Sequence, residues 1–258
     1  NNKATRFTDN GDYCDGAAIR WDSTGGVLNN SIFINNVADG YAGAICWDST
    51  TDFSTTNSSF INNAAKRGGA LYIRSSLSNM IIAKTNFTNN KASEDVGGAI
   101  CIQTGANNID LTTCNFTGNE ANTAGGALYA GASTIDLDIV DSVFDYNIAN
   151  TYGGGVYSFA NTDLYVNESS FNYNKATQGG AIHTSGYSPK IYSSNFTNNK
   201  AINNDEGYGG AIYLTGNDAI IDDSYFKDNH ATVYGGAISS KGSNTKITDS
   251  QFITNTVD

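Results

Sequence analysis

Large apolar residues return along this chain at a fixed spacing. A phenylalanine recurs about every 27 residues, and an asparagine stands three residues after each one. The pairs are Phe7/Asn10, Phe33/Asn36, Phe60/Asn63, Phe87/Asn90, Phe116/Asn119, Phe144/Asn147, Phe171/Asn174, Phe196/Asn199, Phe226/Asn229 and Phe252/Asn255. A constant period in this range is typical of repeat proteins, in which each repeat packs mainly against its sequence neighbours. The first pair closes a partial repeat at residues 1 to 10.

A second phrase, usually Gly-Gly-Ala followed by an aliphatic residue, alternates with the first. Its copies begin at Gly68, Gly97, Gly125, Gly153, Gly179, Gly209 and Gly235, with looser copies at Gly16 and Ala42. Between this phrase and the next phenylalanine lies a short run of alternating apolar and polar residues, which predicts a β-strand. The last apolar residue of the run stands five positions before the phenylalanine, as in Leu28, Ile82, Leu111, Ile139, Val166, Ile191, Ile221 and Ile247. Only Thr55 interrupts that column.

Three short strands per repeat, no helical periodicity and a single proline predict an all-β chain. We expect a right-handed parallel β-helix of nine to ten coils, with one repeat of about 27 residues per coil. A leucine-rich repeat would need a helix, and a propeller blade would need a longer repeat. The pattern runs unbroken, so residues 1–258 form one domain. The repeat continues to both ends, and we expect an excised segment of a longer surface protein.

The repeated positions have separate structural roles. The phenylalanine and aliphatic columns should form the core, and each buried asparagine should hydrogen-bond to the asparagines of the neighbouring coils. The glycine pairs suit a corner that needs positive φ or a close backbone approach. The position three residues before each phenylalanine holds short polar residues that favour a tight corner, among them Asn30, Asn57, Asp141, Asp223 and Asp249.

Composition narrows the choice of partners. The formal net charge is −11, and charged residues make up only 15% of the chain. Nucleic-acid binding and adhesion to anionic lipid both need clustered Lys and Arg, so neither is expected. The sequence contains no apolar run long enough for a transmembrane helix, so we expect no direct membrane insertion in this segment.

The four cysteines lack the spacing of a zinc site. Cys46 and Cys101 share the slot after the Gly-Gly-Ala-Ile phrase, but Tyr72 fills that slot in the coil between them. At ~4.8 Å per coil they would lie about 10 Å apart, too far for a disulfide. We therefore expect most cysteines to be free, and Cys101 with Cys114 is the alternative pair. The two histidines, His183 and His230, fall in different columns and are expected at the surface.

The slot after Gly-Gly-Ala-Ile is also the main candidate binding surface. It holds Tyr72, Tyr129, Tyr157 and Tyr213. Successive side chains of a strand point to opposite faces, so these tyrosines should point outward if the preceding aliphatic residue faces the core. A stripe of aromatic rings with hydroxyl tips suits sugar rings or a protein surface. The alternative is that stacked tyrosines only stabilise the sheet. Trp21 and Trp47 share another slot, where alternation favours the interior over an exposed ligand-binding patch.

Acidic residues give no clear catalytic pattern. Asp136 and Asp138 should point outward from one strand, and carboxylates on neighbouring coils could reach the spacing of a glycosidase pair. The longest loop before a glycine pair, residues 202–208, contains Asp205 and Glu206. These two carboxylates are only weak candidates for a metal site, because Ca²⁺ needs six or more oxygen ligands and the loop has only these two acidic side chains. Six N-x-S/T sequons are candidate glycosylation sites, at Asn29, Asn57, Asn86, Asn115, Asn167 and Asn195.

The alternation of Gly-Gly-Ala-(Ile/Leu/Val) with Phe-x-x-Asn resembles the repeat pair of chlamydial polymorphic outer membrane proteins. It is equally similar to the large adhesin-like β-helix proteins of methanogenic archaea. The resemblance covers essentially the whole chain. It implies a β-helix displayed at the cell surface and associated with adhesion. Polysaccharide lyases and hydrolases use the same fold.

The residues and the resemblance together favour a non-enzymatic, extracellular adhesin segment without a cofactor. The expected partner is a glycan or protein on the surface of another cell, and the segment is expected to be a monomer. Two alternatives stay open. One is a passive stalk that spaces another domain from the cell. The other is a polysaccharide-degrading β-helix enzyme.

Overall fold

A computed structural model describes residues 2–5, 13–49, 52–74, 77–103, 105–132, 134, 136–160 and 162–258. Within these ranges every regular element is a β-strand, and each coil contributes one strand to each of four parallel sheets. Every strand pairs with the equivalent strand of the next coil, so the chain is a parallel β-solenoid with coils of about 27 residues. This architecture confirms the predicted fold class.

We number the strands in chain order and name each sheet after its characteristic residue or position. The glycine sheet follows the glycine pairs and contains β2 (Ile19–Trp21), β6 (Ile45–Trp47), β10 (Leu71–Ile73), β14 (Ile100–Ile102), β18 (Leu128–Ala130), β22 (Val156–Ser158), β26 (Ile182–Thr184), β30 (Ile212–Leu214) and β34 (Ile238–Ser240). The middle sheet contains β3 (Gly26–Asn29), β7 (Phe53–Thr56), β11 (Met80–Ala83), β15 (Ile109–Thr112), β19 (Asp136–Val140), β23 (Asp163–Asn167), β27 (Lys190–Tyr192), β31 (Ile220–Asp222) and β35 (Lys246–Thr248).

The other two sheets come from the Phe-x-x-Asn phrase. The phenylalanine sheet contains β4 (Ile32–Ile34), β8 (Ser59–Ile61), β12 (Asn86–Thr88), β16 (Asn115–Thr117), β20 (Val143–Asp145), β24 (Ser170–Asn172), β28 (Asn195–Thr197), β32 (Tyr225–Lys227) and β36 (Gln251–Ile253). The alanine sheet contains β1 (Lys3–Ala4), β5 (Val37–Ala38), β9 (Ala64–Ala65), β13 (Lys91–Ala92), β17 (Glu120–Ala121), β21 (Ile148–Ala149), β25 (Lys175–Ala176), β29 (Lys200–Ala201), β33 (His230–Ala231) and β37 (Thr256–Val257).

Each coil has four strands instead of the predicted three. The segment Ser-x-Phe-x-x-Asn-x-Ala bends two residues after the phenylalanine, where Asn198 has φ of 57°. The bend divides the segment into β28 and the two-residue β29. A strand of two residues shows no alternation, so sequence periodicity cannot reveal it.

The solenoid core consists of stacked columns of identical or similar side chains. Phenylalanine rings of adjacent coils lie parallel, as in Phe116 and Phe144, whose centroids are 4.6 Å apart at 9°. The aliphatic columns of the glycine and middle sheets pack against these rings. The predicted inward direction of the phenylalanine column is therefore confirmed for the described coils.

A ladder of buried asparagines runs beside the phenylalanine column. The Oδ1 atom of Asn147 accepts hydrogen bonds from the backbone N and the Nδ2 of Asn119, both at 3.0 Å. The Nδ2 of Asn147 donates to Asn174 Oδ1 at 3.0 Å and to the backbone oxygen of Phe116 at 2.9 Å. Each asparagine thus ties three coils together, as the sequence predicts.

The first rung of this ladder differs from the prediction. Asn2 stands there and donates from Nδ2 to Asn36 Oδ1 at 2.9 Å, while Lys3 pairs with Val37. The reason is local, because Asn-Lys-Ala at 2–4 matches the Asn-x-Ala unit of later coils. The predicted partial repeat at Phe7 and Asn10 lies outside the described residues.

The corners use the conformations that the sequence indicates. The first glycine of a pair has positive φ, for example 58° at Gly153. The second glycine allows close approach, since a Cβ at Gly154 would lie 2.6 Å from the backbone N of Lys175. The polar corner before the phenylalanine also has positive φ, 49° at Asp141 and 47° at Asp223.

The cysteine pairing corrects the sequence-based expectation. Cys14 and Cys46 form a disulfide with Cα atoms 5.5 Å apart, whereas Cys101 and Cys114 are free and buried. The alternative Cys101–Cys114 bridge is absent, because Cys114 packs in the core and Cys101 packs on the outer face of the glycine sheet. Cys14 lies in the segment before the glycine phrase, which packs on the outer face of the glycine sheet beside Cys46. The spacing between coils alone does not predict this contact.

Candidate binding surface: the tyrosine seam

A second cluster of apolar side chains lies outside the core, on the outer face of the glycine sheet. We call it the tyrosine seam: Cys14, Tyr41, Ala42, Cys46, Tyr72, Val96, Cys101, Ala124 and Tyr157, with Tyr129 and Tyr152 packed against it. Ring contacts extend the seam through His183, Tyr208, Tyr213 and Tyr234, and to Phe159 beside Tyr157, and we include these residues in it. Two columns build it. One is the predicted slot after Gly-Gly-Ala-Ile. The other is the residue that precedes the glycine phrase, and in most of the described coils this residue forms an isolated parallel bridge to its equivalent in the next coil.

The predicted tyrosines point away from the core, but they are more buried than a solvent-exposed stripe. Tyr157 is 9% exposed, Tyr72 and Tyr213 are buried, and Tyr129 is half-buried. The Tyr129 and Tyr157 rings stack at 5.4 Å and 12°, so each covers a face of the other. The prediction overlooked the residues before the glycine pairs, which cover the seam. Aligning the coils on their glycines could have revealed them, since tyrosine holds this position at 41, 152, 208 and 234.

The tryptophans lie inside the solenoid. Trp47 is fully buried and Trp21 packs against the core, with their ring centroids 5.2 Å apart. Gly26 makes room for them, because a Cβ there would lie 3.1 Å from the Trp21 ring and closer still to Trp47. The interior position that alternation favours is therefore observed, and the exposed patch is not.

Burial controls the ionisation of the seam. Burial, followed by the nearby Cys101 and Tyr157, raises the pKa of Tyr129 to about 12. His183 was expected at the surface, but it lies buried between Tyr157 and Tyr213, with ring centroids at 5.2 and 4.8 Å. Burial, assisted by Lys241, lowers the His183 pKa to about 3, so the imidazole is neutral at ordinary pH.

Cations border the seam at two places. The Arg67 guanidinium lies 5.1 Å from the Tyr41 ring centroid and forms an ion pair of 2.6 Å with Asp95. At the other end, Lys241 Nζ lies 4.9 Å from the Tyr208 ring centroid. Such cation–π contacts hold a positive charge beside the phenol rings.

Other candidate residues are separate from the seam. Asp136 and Asp138 point outward from β19 and line a groove of about 400 Å³ with Asp163, Tyr165 and Lys190. Burial, followed by repulsion from Asp110 and Asp136, raises the Asp138 pKa. The described residues contain no group of three His, Cys, Asp or Glu side chains arranged to hold a metal ion.

The 202–208 loop is an ordered turn. The backbone amides of Asp205 and Glu206 donate to Asn203 Oδ1 at 3.0 and 3.1 Å, and Gln178 Nε2 donates to Glu206 at 3.4 Å. These contacts explain the two acids as parts of a capped turn. A metal role for them stays a prediction.

The six sequon asparagines all reach the surface to some extent. Asn167 is half-buried, and the other five are exposed: Asn29, Asn57, Asn86, Asn115 and Asn195. Asn115 Nδ2 donates to Asn86 Oδ1 at 2.9 Å, so two candidate sites are neighbours on the phenylalanine sheet. Their glycosylation stays a prediction.

Comparison with known families agrees with this architecture. Six segments match the family described as Chlamydia polymorphic membrane protein repeat: residues 57–74, 84–103, 113–131, 168–185, 193–215 and 223–241. Each of them runs from a strand of the phenylalanine sheet through the corner asparagine to the next strand of the glycine sheet. No curated protein and no solved structure gives a significant match.

The chain is therefore a β-solenoid repeat protein whose repeats match those of chlamydial polymorphic membrane proteins, as the two phrases indicate. The likeness to archaeal adhesin-like proteins stays a prediction. Among the described residues, no helix has the length and hydrophobicity needed to cross a bilayer.

Proposed function

We propose that the chain is a non-enzymatic segment of an extracellular, surface-displayed adhesin that binds a glycan or protein on another cell. The observation that supports this proposal is the convergence of two aromatic columns outside the core, on one face of the solenoid. A core needs only inward side chains, whereas this second cluster lies outside the core and leaves the rings of Tyr129 and Tyr152 partly accessible to solvent. Resemblance to chlamydial surface proteins supports the proposed location.

The contact area consists of the accessible rim of the seam. Tyr129, Tyr152 and Tyr208 are half-buried, while Phe159 and Tyr234 are exposed. Rings of this kind offer apolar area together with hydroxyl groups that can donate or accept hydrogen bonds. They lose little side-chain entropy on binding because the seam already holds most of them in place. Binding as a monomer fits this arrangement, since one chain carries the whole rim.

Retention on immobilised cell-surface glycans and on whole cells tests the proposal. The variant Tyr129→Ser/Tyr157→Ser disrupts the seam. The matched control, Tyr165→Ser/Tyr192→Ser, removes a tyrosine pair 5.8 Å apart in adjacent coils on the middle sheet. We expect the glycans or cells to retain the wild type and the control but not the seam variant. The thermal unfolding midpoint of each protein must show that it is folded.

The passive stalk is the second candidate, because the four sheets continue without interruption through all coils. A stalk predicts that the wild type is retained on no glycan and no cell. If the wild type and the seam variant are both retained, adhesion occurs through a different surface and the assignment to the seam is overturned.

A further inference from the structure

Two exposed tyrosines occupy the corner between the phenylalanine and alanine sheets. Tyr146 and Tyr173 stand two residues after Phe144 and Phe171, in adjacent coils, and their side chains are 55% and 47% exposed. Their rings stack with centroids 4.8 Å apart at 4°. This pair lies outside the seam and outside the core.

The backbone at these positions does not favour tyrosine. Both residues have φ of 57°, in the left-handed region. Bulky side chains are rare there, whereas asparagine, aspartate and glycine are tolerated. The other described coils follow this rule, with one threonine as the exception: Asn35, Asn62, Asn89, Gly118, Asn198, Asp228 and Thr254. Because the tyrosines are exposed, burial does not compensate for their strained backbone, and strain of this kind often marks a functional site.

The face of Tyr146 that points away from Tyr173 looks onto a glycine. One face of Tyr146 stacks on Tyr173, and the position beyond its other face belongs to Gly118, which has no side chain. Successive coils are about 4.8 Å apart, so the missing side chain leaves space about one ring thick. The carboxamide oxygen of Asn89 stands near the place that a Gly118 side chain would take. A Cβ at Gly118 would meet this oxygen, so Asn89 closes the inner end of this slot, and the Tyr146 ring forms one of its walls.

Polar groups also border the tyrosine pair, on the phenylalanine sheet. Asp145 and Asn172 precede the two tyrosines, and Asn172 Nδ2 donates to Asp145 Oδ1 at 2.9 Å. This bond leaves the second carboxylate oxygen of Asp145 and the carboxamide oxygen of Asn172 as possible acceptors. On the alanine sheet, Ile148 adds exposed apolar surface.

We propose that this corner binds a pyranose ring of a glycan. The C–H groups on one face of a pyranose pack against an aromatic ring, and its equatorial hydroxyls donate to carboxylate and carboxamide oxygens. The open face of Tyr146 supplies the aromatic contact, and the side-chain oxygens of Asn89 and Asp145 supply the acceptors.

Saturation-transfer NMR with methyl β-galactopyranoside and methyl β-glucopyranoside tests the site directly. Tyr146→Asn installs the residue that this column prefers, so it should keep or raise the thermal midpoint while weakening saccharide binding at least tenfold. Gly118→Asn should fill the slot and weaken binding similarly with both tyrosines in place. Tyr187→Asn, which removes an exposed tyrosine elsewhere, should bind as the wild type does.

Absence of wild-type binding to both saccharides would overturn the inference, as would wild-type affinity in Tyr146→Asn or Gly118→Asn. Cell retention that depends on Tyr146 without saccharide binding would also overturn it and indicate a protein partner. The test is independent of the seam. Saccharide binding in a protein that no cell retains would contradict the proposed adhesion and leave the corner site standing.

Discussion

At the scale of single residues, Asn147 shows how a polar group can hold an apolar solenoid together. Its carboxamide accepts two hydrogen bonds from Asn119 and donates to Asn174 and Phe116. All of these groups are away from water, so each one left without a partner costs about 1–3 kcal/mol. The ladder stabilises the corner and fixes the register of successive coils.

Replacing Asn147 by alanine should therefore lower the free energy of unfolding by about 3 kcal/mol, because it strands the Asn119 amide and the Phe116 carbonyl. Urea unfolding measures the change. The control is Asn150→Ala, which removes an exposed carboxamide that donates only to Asn122, at 3.1 Å. We expect the control to change stability by less than about 0.5 kcal/mol. Equal effects of the two variants would contradict the role of the ladder.

His183 gives the seam a pH dependence. Its pKa in the folded protein is about 3, below the unfolded value of 6.5, so the unfolded chain binds the proton more tightly. Stability from this group is complete above pH 6.5 and is lost as the pH falls toward 3. The slope approaches about 1.4 kcal/mol per pH unit.

We expect the wild type to lose roughly 2 kcal/mol between pH 7.5 and 5, a range chosen because most carboxylates stay ionised. His183→Tyr places the commonest residue of this column in the same slot and should remove that loss. Urea unfolding at the two pH values measures it. An identical pH dependence in both proteins would show that folding does not lower the His183 pKa, and would contradict its burial in the seam.

At the scale of elements, the glycine corner connects the alanine sheet to the glycine sheet. Gly153 supplies the positive φ and Gly154 the close approach, where an added Cβ would meet the backbone of Gly180 and Lys175. These atoms belong to the next coil and are held by sheet hydrogen bonds. The corner thus sets the spacing between neighbouring coils.

Gly154→Ala should lower the free energy of unfolding by about 3 kcal/mol, since the methyl group forces two coils apart. Gly25→Ala is the control. Gly25 also has positive φ, but an added Cβ there meets no atom within 4 Å. It should cost only the conformational penalty of about 1 kcal/mol. Calorimetry or urea unfolding compares them, and a smaller loss in Gly154→Ala than in Gly25→Ala would contradict the close-approach argument.

The sequence predicts those elements whose residue pattern is long enough, or is repeated often enough, to be recognised. The phenylalanine, asparagine and glycine columns were predictable because the period repeats them at every coil. The two-residue strands such as β29 were not, since they are too short to alternate. The Cys14–Cys46 bridge and the cover over Tyr157 were also missed, because both depend on a segment that folds sideways onto the glycine sheet.

At the scale of the whole molecule, inward columns build the solenoid and leave the outer positions free to vary. The seam and the Tyr146–Tyr173 corner both use this freedom, on different faces of the same coils. Each coil packs mainly against its neighbours, so an outer change should have local consequences. The candidate surfaces were only partly predictable, because the sequence shows which side chains point outward but not which neighbours cover them.

Every surface assignment depends on which side chains point inward, and Phe144→Ala tests this most directly. Phe144 is fully buried between Phe116 and Phe171, so the variant should lose about 3–5 kcal/mol of unfolding free energy in urea. Phe159→Ala, at an exposed ring, should lose less than about 1 kcal/mol. A loss near zero in Phe144→Ala would mean that the phenylalanine column faces solvent and would contradict the register on which both binding surfaces rest.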